Sequence, residues 1–379
     1  MKRKKVKKVP ILFTFLLLII IIFGCLYLFK GVFTKHREQV EKPEVIKESS
    51  LTYTGKMTIA GNVLINSNMW YDTVATDGSY DYKYVFENIK DLVKPGVNIY
   101  TQQSIVGGKE LGASINYDYN SPLDQLLAMR DIGFNIVSLA SYHAFDRDVI
   151  GVTNSVKNCK ENALFYSGIS DKLEDRLTNN KITKNGITYG LLSYTLNTDE
   201  AYTDTYLIDK YSDLQAKADI EAIKDDVDVI IVSIDWSDNT STTVTESQKQ
   251  IATYLSELGV NILIGNNSNV VEPIDKINNM VVFYSLGNLL SGHTSVDSRI
   301  SMISDFDVEV IKTGDKKEVN IKNINVSLIF AYNQFKTNYK VIPFSKITTE
   351  LPNSKTYYDK YSTLIKGDKD YINVYKVGE

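Results

Sequence analysis

The chain has 379 residues, enough for one large domain or two ordinary ones, and at 43% hydrophobic and 23% charged it is globular in balance rather than disordered. The formal charge of −4 hides a split. Residues 1–38 carry nine Lys or Arg and one acid, so the remainder is −12, which argues against nucleic-acid binding. Three His and two Cys leave little material for a histidine-rich centre or a disulfide framework.

The N-terminal "MKRKKVKK" holds six positive charges and precedes "VPILFTFLLLIIIIFGCLYLF", residues 9–29, in which no residue is charged. Twenty-one uncharged, predominantly apolar residues suffice to cross a bilayer as a helix. The basic side stays cytoplasmic, so residues 1–8 are expected inside and the bulk of the chain outside. The run continues past Cys25 through Phe29 and has no small-residue cleavage site, which favours an uncleaved anchor over a signal peptide or a lipidated Cys25. Residues 30–54 are polar and aperiodic and are read as a linker, with His36 solvated. Cys159 is read as a packed helical residue.

From Gly55 onward strands and helices alternate. "KMTIAGNVLI" reads as a strand. "SPLDQLLAMRDIG" reads as a helix capped by Ser121 and ended by Gly133. "FNIVSLA", "GITYGLLSYT", "DVDVIIVSIDW", "NILIG" and "MVVFYSL" read as buried strands. "TESQKQIATYLSELG" reads as a helix with a capping box, Thr245 and Gln248, and Gly259 as its stop. After residue 295 the pattern turns to long β segments. Near-continuous apolar strands imply a sheet covered on both faces, hence an α/β class or a layered α+β sandwich. There is no GxGxxG, Walker sequence, GxSxG or CxxC, which leaves no sequence support for nucleotide, serine-nucleophile or redox chemistry.

In such sheets ligands gather at the loops beyond the carboxyl ends of the strands. In these loops "SLASYHAFD", "VIIVSIDWSDN", "SQKQIATYLSELGVNILIGNNSNVVEPI" and "VVFYSLGNLL" follow in order. Together they resemble the CapA family of capsule and poly-γ-glutamate synthesis proteins, whose domain is similar to the calcineurin-like metallophosphoesterases. The resemblance covers about residues 55–345 and leaves 346–379 as a C-terminal extension. It implies an α-β-β-α metallophosphoesterase-like sandwich and a two-metal centre. Where the family has G-D-V, this chain has Gly61-Asn62-Val63. Where it has N-L-E there is Gln102-Gln103-Ser104, and where it has N-N-H there is Ser141-Tyr142-His143. Asp235 replaces the His of H-W-G, and Asn266, Asn267 and Asn269 replace three His.

A neutral amide is a poor ligand for Zn²⁺ or Mn²⁺. The expectation is therefore a retained framework without a confident metal site and without a cofactor. His143 and Asp235 are the remaining catalytic candidates. Trp236 and Asn288 are possible ligand contacts, Trp236 as a stacking face. Asp146 is expected to cap the helix near "RDVIGV", His293 to lie at the surface, and Asp235 with Asp238 to offer at most a site for a hard cation. The implied role is a membrane-anchored, outward-facing component of capsule or related polymer synthesis or export. Its expected partners are the cell membrane, other membrane components of such a complex and an anionic or cell-wall polymer. An active hydrolase with an atypical site and a cell-wall carbohydrate-binding module stay open as alternatives.

Overall fold

Leu, Ile and Phe fill the N-terminal apolar run, and from Ile11 to Phe29 neither a Pro nor a charged residue interrupts helix formation. The computed structural model describes residues 11–34, 49–115, 117–236 and 240–376, and it divides into two units, Met1–Ser49 and Ser50–Glu379. In the first unit helix α1, Ile11–Thr34, has 24 residues. At 1.5 Å per residue it is about 36 Å long, more than the hydrocarbon thickness of a bilayer. Within it the window Phe13–Lys30 is long and apolar enough to cross a membrane. The basic tail, His36 and most of the expected linker lie outside the described residues.

The second unit is built on two sheets. The larger contains β1 (Ser50–Val63), β2 (Val97–Gln102), β3 (Ile136–Ser138), β4 (Phe165–Ser167), β11 (Asn288–Leu290), β12 (Ile300–Thr313), β13 (Lys316–Gln334), β14 (Thr337–Pro343) and β15 (Ile372–Val374). Its order is β14-β13-β12-β1-β2-β3-β4, with β11 also beside β1 and β15 beside β13. The smaller contains β5 (Lys181–Lys184), β6 (Ile187–Thr195), β7 (Val229–Asp235), β8 (Ile262–Asn266), β9 (Ile274–Ile277) and β10 (Met280–Phe283), in the order β5-β6-β7-β8-β10-β9. The strands β1 to β4 run parallel, as do β6, β7, β8 and β10.

Alternation of side chains along each strand sorts them into three apolar layers. Met57, Ile59, Val97 and Ile99 from the larger sheet meet Tyr189, Leu191, Ile231, Ile262 and Ile264 from the smaller one. On the far side of the larger sheet Ala60, Tyr100 and Val137 pack against helices α2 (Ser67–Thr73), α3 (Lys83–Phe86), α4 (Leu123–Asp131) and α5 (Asp148–Glu161), through Trp70, Phe86, Met129 and Val156. On the far side of the smaller sheet Leu192, Val232 and Leu263 pack against α6 (Asp213–Ile223) and α7 (Glu246–Glu257), through Ile220 and Leu255. This is the expected layered α-β-β-α sandwich.

Cys159 on α5 is fully buried, and burial pushes its thiol up to about 12, so it is a packing residue. Thr245 and Gln248 form the expected capping box of α7.

Three expectations differ. Residues 50–54, read as linker, form the start of β1 and pair with β12 from Ser50 opposite Thr313 to Thr54 opposite Glu309. Pro122 rather than Ser121 is the N-cap of α4, because the Ser121 hydroxyl is held by Gln102 and Ser104. The segment read as an extension belongs to the sandwich. Helix α8 (Ser354–Lys366) buries Tyr361 and Ile365 in the layer between the sheets, and β15 adds to β13.

Candidate functional site

Parallel strands bring their carboxyl ends to one edge of each sheet, and the replaced positions lie at those ends. The register sets Asp235 beside Asn266 and Asn62 beside Asn288. Between them Gly265 lets the Trp236 indole and the Tyr284 carbonyl close over β8, since a Cβ at this position would overlap both. Asn267 and Asn269 have φ of 66° and 55°, left-handed angles that Asn adopts more readily than most residues.

The amides form three buried networks. The Asn267 side chain donates to Asp235 Oδ1 at 2.9 Å and accepts from the Gln103 amide, while the Tyr142 backbone N–H donates to Asp235 Oδ2 at 3.1 Å. Asn62 donates to Asn288 Oδ1 at 3.2 Å, and Asn288 donates to Asn269 Oδ1 at 3.2 Å and to Ser298 O at 3.1 Å. Asn266 donates to Ser233 Oγ at 3.2 Å, at the end of a hydroxyl chain through Ser138 to Ser193. Beside these, Gln102 donates to Ser104 at 3.0 Å, and the Ser141 hydroxyl donates to the Gln103 carbonyl at 2.7 Å. The ten side chains expected here other than Tyr142, His143 and Trp236, with Gln103 counted, are all at most 4% exposed.

This set does not fit the two divalent metals that the resemblance implies. Asp235 is the one carboxylate among the replaced positions, and each of its oxygens already accepts a hydrogen bond. The amide oxygens of Asn267 and Asn269 are likewise engaged. Oδ1 of Asn62 and of Asn266, and Oε1 of Gln102 and of Gln103, have no hydrogen-bond partner among the described residues. They are neutral oxygens, weak donors to a transition metal.

Two expected ligand contacts are corrected. Trp236 is 6% exposed, and its indole N–H donates to Tyr284 O at 2.8 Å, so it is turned into the core and offers no stacking face. Asn288 is 0% exposed and spends its amide donors on Asn269 and Ser298. Asp238 lies outside the described residues.

Next to the amides is an open cleft of about 330 Å³, lined by His143, Tyr119, Tyr142, Asp199, Gln103 and His293 among others. His143 Nδ1 lies 3.1 and 3.0 Å from the two oxygens of Asp146, and Asp146 Oδ2 also accepts from the Tyr119 backbone N–H at 2.7 Å. Asp146 therefore orients His143 and does not cap α5, whose N-cap is Arg147. Burial pushes the Asp146 carboxyl above its ordinary range against the opposing pull of His143. The His143 ring meets the edges or faces of Tyr119 and Tyr142 at centroid distances of 4.6 and 5.0 Å.

His293, expected at the surface, is half-buried in the cleft wall. Asp199 was not foreseen. Its position just beyond β6, a parallel strand, was the signal that could have found it. Asp235 meets the loop that carries His143 through the neighbouring Tyr142 backbone N–H.

Two curated relatives share about a quarter of the matched residues or fewer. The PGA biosynthesis protein CapA of Bacillus subtilis is 24% identical over 198 residues, 50% of this chain and 51% of that protein. The capsule biosynthesis protein CapA of Bacillus anthracis is 21% identical over 224 residues, 56% of this chain and 49% of that protein. The chain thus spans about half the length of these relatives. A solved structure from Staphylococcus aureus, provisionally named a 5′-nucleotidase and in complex with alpha-ketoglutarate, aligns with a TM-score of 0.43 and 9% identity over 81% of this chain and 58% of that one. The model of the bacterial capsule synthesis protein family PGA_cap matches residues 56–293, which take in every replaced position described above, and the chain belongs to that family.

Proposed function

We propose that this is a membrane-anchored, outward-facing member of the capsule synthesis family that binds or scaffolds a cell-surface polymer, poly-γ-glutamate or a related capsule material, without hydrolysing it. The observation that carries the reading is the amide network. At the positions where a two-metal centre would need anionic or imidazole donors, the Gln103 amide donates to Asn267, and Asn267 donates in turn to Asp235. This buried chain of hydrogen bonds holds the loops in shape, and its neutral amides supply neither a nucleophile nor the anionic donors that a water-activating metal needs. Helix α1 supplies the anchor in this reading, and the basic residues before it set the orientation. The names of the two Bacillus relatives support the choice of polymer.

The test uses cells that lack the protein. Surface polymer is measured after complementation with the wild-type chain, with Asp235→Asn, and with a chain whose helix α1 is deleted. The reading expects restoration by the first two and failure of the third. Purified full-length chain that cleaves a phosphodiester or amide substrate, and loses that turnover in Asp235→Asn, would sink the non-catalytic reading.

A further inference from the structure

Apart from the amide cleft, a cavity of about 460 Å³ opens between the turn Leu173–Asp175, the segment 202–210 and helix α6. It shares no lining residue with the cleft. Small-ligand sites commonly measure about 300–1,000 Å³. Backbone bonds set its walls. The Asp209 N–H donates to Gly168 O at 2.9 Å, the Ser170 N–H to Leu207 O at 3.1 Å and the Thr195 N–H to Asp209 O at 3.0 Å. The segment 202–210 is thus tied to the chain just beyond β4 and to the end of β6. A cavity held in this way is formed before any ligand arrives, which lowers the cost of binding.

Two kinds of surface meet in it. Tyr206 and Leu173 give apolar walls, and Leu173 is 67% exposed. Arg176, Lys210 and Gln215 line it with N–H donors, and Asp209 lines it with a carboxyl. Each of these is positioned by a neighbour. Arg176 is held by Asp209 and Asp219, and the Gln215 amide donates to Asp219 Oδ1 at 2.9 Å. Lys210 Nζ lies 4.8 Å from the centroid of the Tyr202 ring, and the Tyr202 hydroxyl donates to Ile208 O at 2.9 Å.

This mixture narrows the ligand. A wholly apolar molecule would strip water from the Lys210 ammonium and the Gln215 amide and replace it with nothing. An anion would meet the Asp209 carboxylate, and a cation would meet Arg176 and Lys210. A neutral polyol avoids all three conflicts. Each hydroxyl both donates and accepts, and a sugar ring also has a C–H face that suits an apolar wall. Burial pushes the Asp209 carboxyl up to about 7, so near neutral pH this side chain, too, is able to donate as well as accept.

We propose that this cavity binds one sugar residue of a neutral glycan, with the C–H face of the ring on Tyr206 and Leu173 and its hydroxyls on Asp209, Lys210 and Gln215. The proposal goes beyond the poly-γ-glutamate reading above and does not depend on it.

The test is saturation-transfer NMR on full-length protein in micelles of a detergent without a sugar head group. The probes are glucose, N-acetylglucosamine and their β-linked dimers, with oligo-γ-glutamate run in parallel. Saturable transfer to at least one of the sugars is expected. Lys210→Ala and Tyr206→Ala should each weaken it by roughly fivefold or more. Lys217→Ala removes a positive charge from the same part of α6 but lies outside the cavity, and should leave the affinity unchanged. Tyr206 is half-buried, so its variant is read only if its circular dichroism matches the wild type. Lys210 is exposed, and Lys210→Ala carries the test by itself if Tyr206→Ala does not fold. No saturable transfer to any sugar, unchanged affinity in Lys210→Ala, or an equal loss in Lys217→Ala overturns the proposal. Binding of oligo-γ-glutamate that is lost in Lys210→Ala, with no sugar bound, would assign the cavity to an anion and overturn it as well.

Discussion

Asn267 donates its side-chain amide to Asp235 Oδ1 at 2.9 Å while its own oxygen accepts from Gln103. A metal centre points acceptors at a cation, whereas here an N–H₂ group points at the one carboxylate. The bond ties the loop after β8 to the end of β7, and Gln103 ties both to the loop after β2. It is a structural clasp built across positions that the sequence pattern marks as a reaction centre.

Asn267→Ala removes the clasp and leaves the Asp235 carboxylate and the Gln103 amide buried without this partner. A buried group stripped of its partner costs about 1–3 kcal/mol, and more when it is charged. The expected loss is about 3 kcal/mol, read as the shift in urea midpoint at unchanged slope. A loss below about 1 kcal/mol would show that water replaces the amide and that the clasp is dispensable.

Much of this was legible before the fold was seen. The apolar strands from "FNIVSLA" to "MVVFYSL" and the capped helix α7 declare themselves because apolar periodicity and cap chemistry are local. The C-terminal helix α8 was not, since Tyr357, Tyr361 and Ile365 are spaced for one apolar face but sit among Lys, Asp, Ser and Thr. The site was half legible. Loss of ligand types at Asn62, Asn266 and Asn267 can be read from residue identity. Trp236 facing inward cannot, because only the fold brings the Tyr284 carbonyl to its indole N–H. The closeness of Asp199 to His143 likewise depends on a contact between loops 56 positions apart.

Gly265 tests the closure over β8. A Cβ there would overlap the Tyr284 carbonyl oxygen, which is backbone, and the Trp236 Nε1, which is held by its hydrogen bond to that same oxygen. Neither neighbour can retreat cheaply. Gly265→Ala is expected to lose about 1–3 kcal/mol through overpacking and to weaken the Trp236 bond, seen as a red shift in Trp fluorescence with a lower melting temperature. A melting temperature equal to that of the wild type would show that the strand relaxes.

Arg176 holds a second buried charge network. Its guanidinium lies 2.5 Å from Asp209 Oδ1 and 2.7 and 2.6 Å from the two oxygens of Asp219, which also accepts from the Tyr194 hydroxyl at 2.8 Å. Even with this cation present, burial pushes the Asp209 carboxyl up to about 7. Arg176→Met keeps the apolar stem and leaves two carboxylates buried without their partner. The expected cost is about 3–5 kcal/mol. Arg176→Met in an Asp209→Asn, Asp219→Asn background should lose far less, and an equal loss in both backgrounds would assign the effect to packing rather than charge.

Glu272 gives the fold a pH dependence with an unusual sign for an acid. Its carboxyl is buried just after the asparagine loop, and the Gln248 amide donates to Oε2 at 2.7 Å. Burial lifts it from 4.5 to about 7, against the opposing pull of Ser268 and Gln248. The folded chain therefore holds this proton more tightly than the unfolded chain. The stability it contributes is fully present below about 4.5 and is lost as pH rises through about 7. The full swing is roughly 3 kcal/mol. Glu272→Gln is neutral at every pH and keeps an oxygen for Gln248. The variant should match the wild type near pH 4.5 and exceed it by as much as roughly 3 kcal/mol at pH 8, measured by urea unfolding. Asp209 titrates in the same window in both proteins, so the difference between the two curves isolates Glu272. Parallel curves from acid to alkaline pH would mean that Glu272 ionises as an ordinary carboxyl and that water reaches it from the asparagine loop.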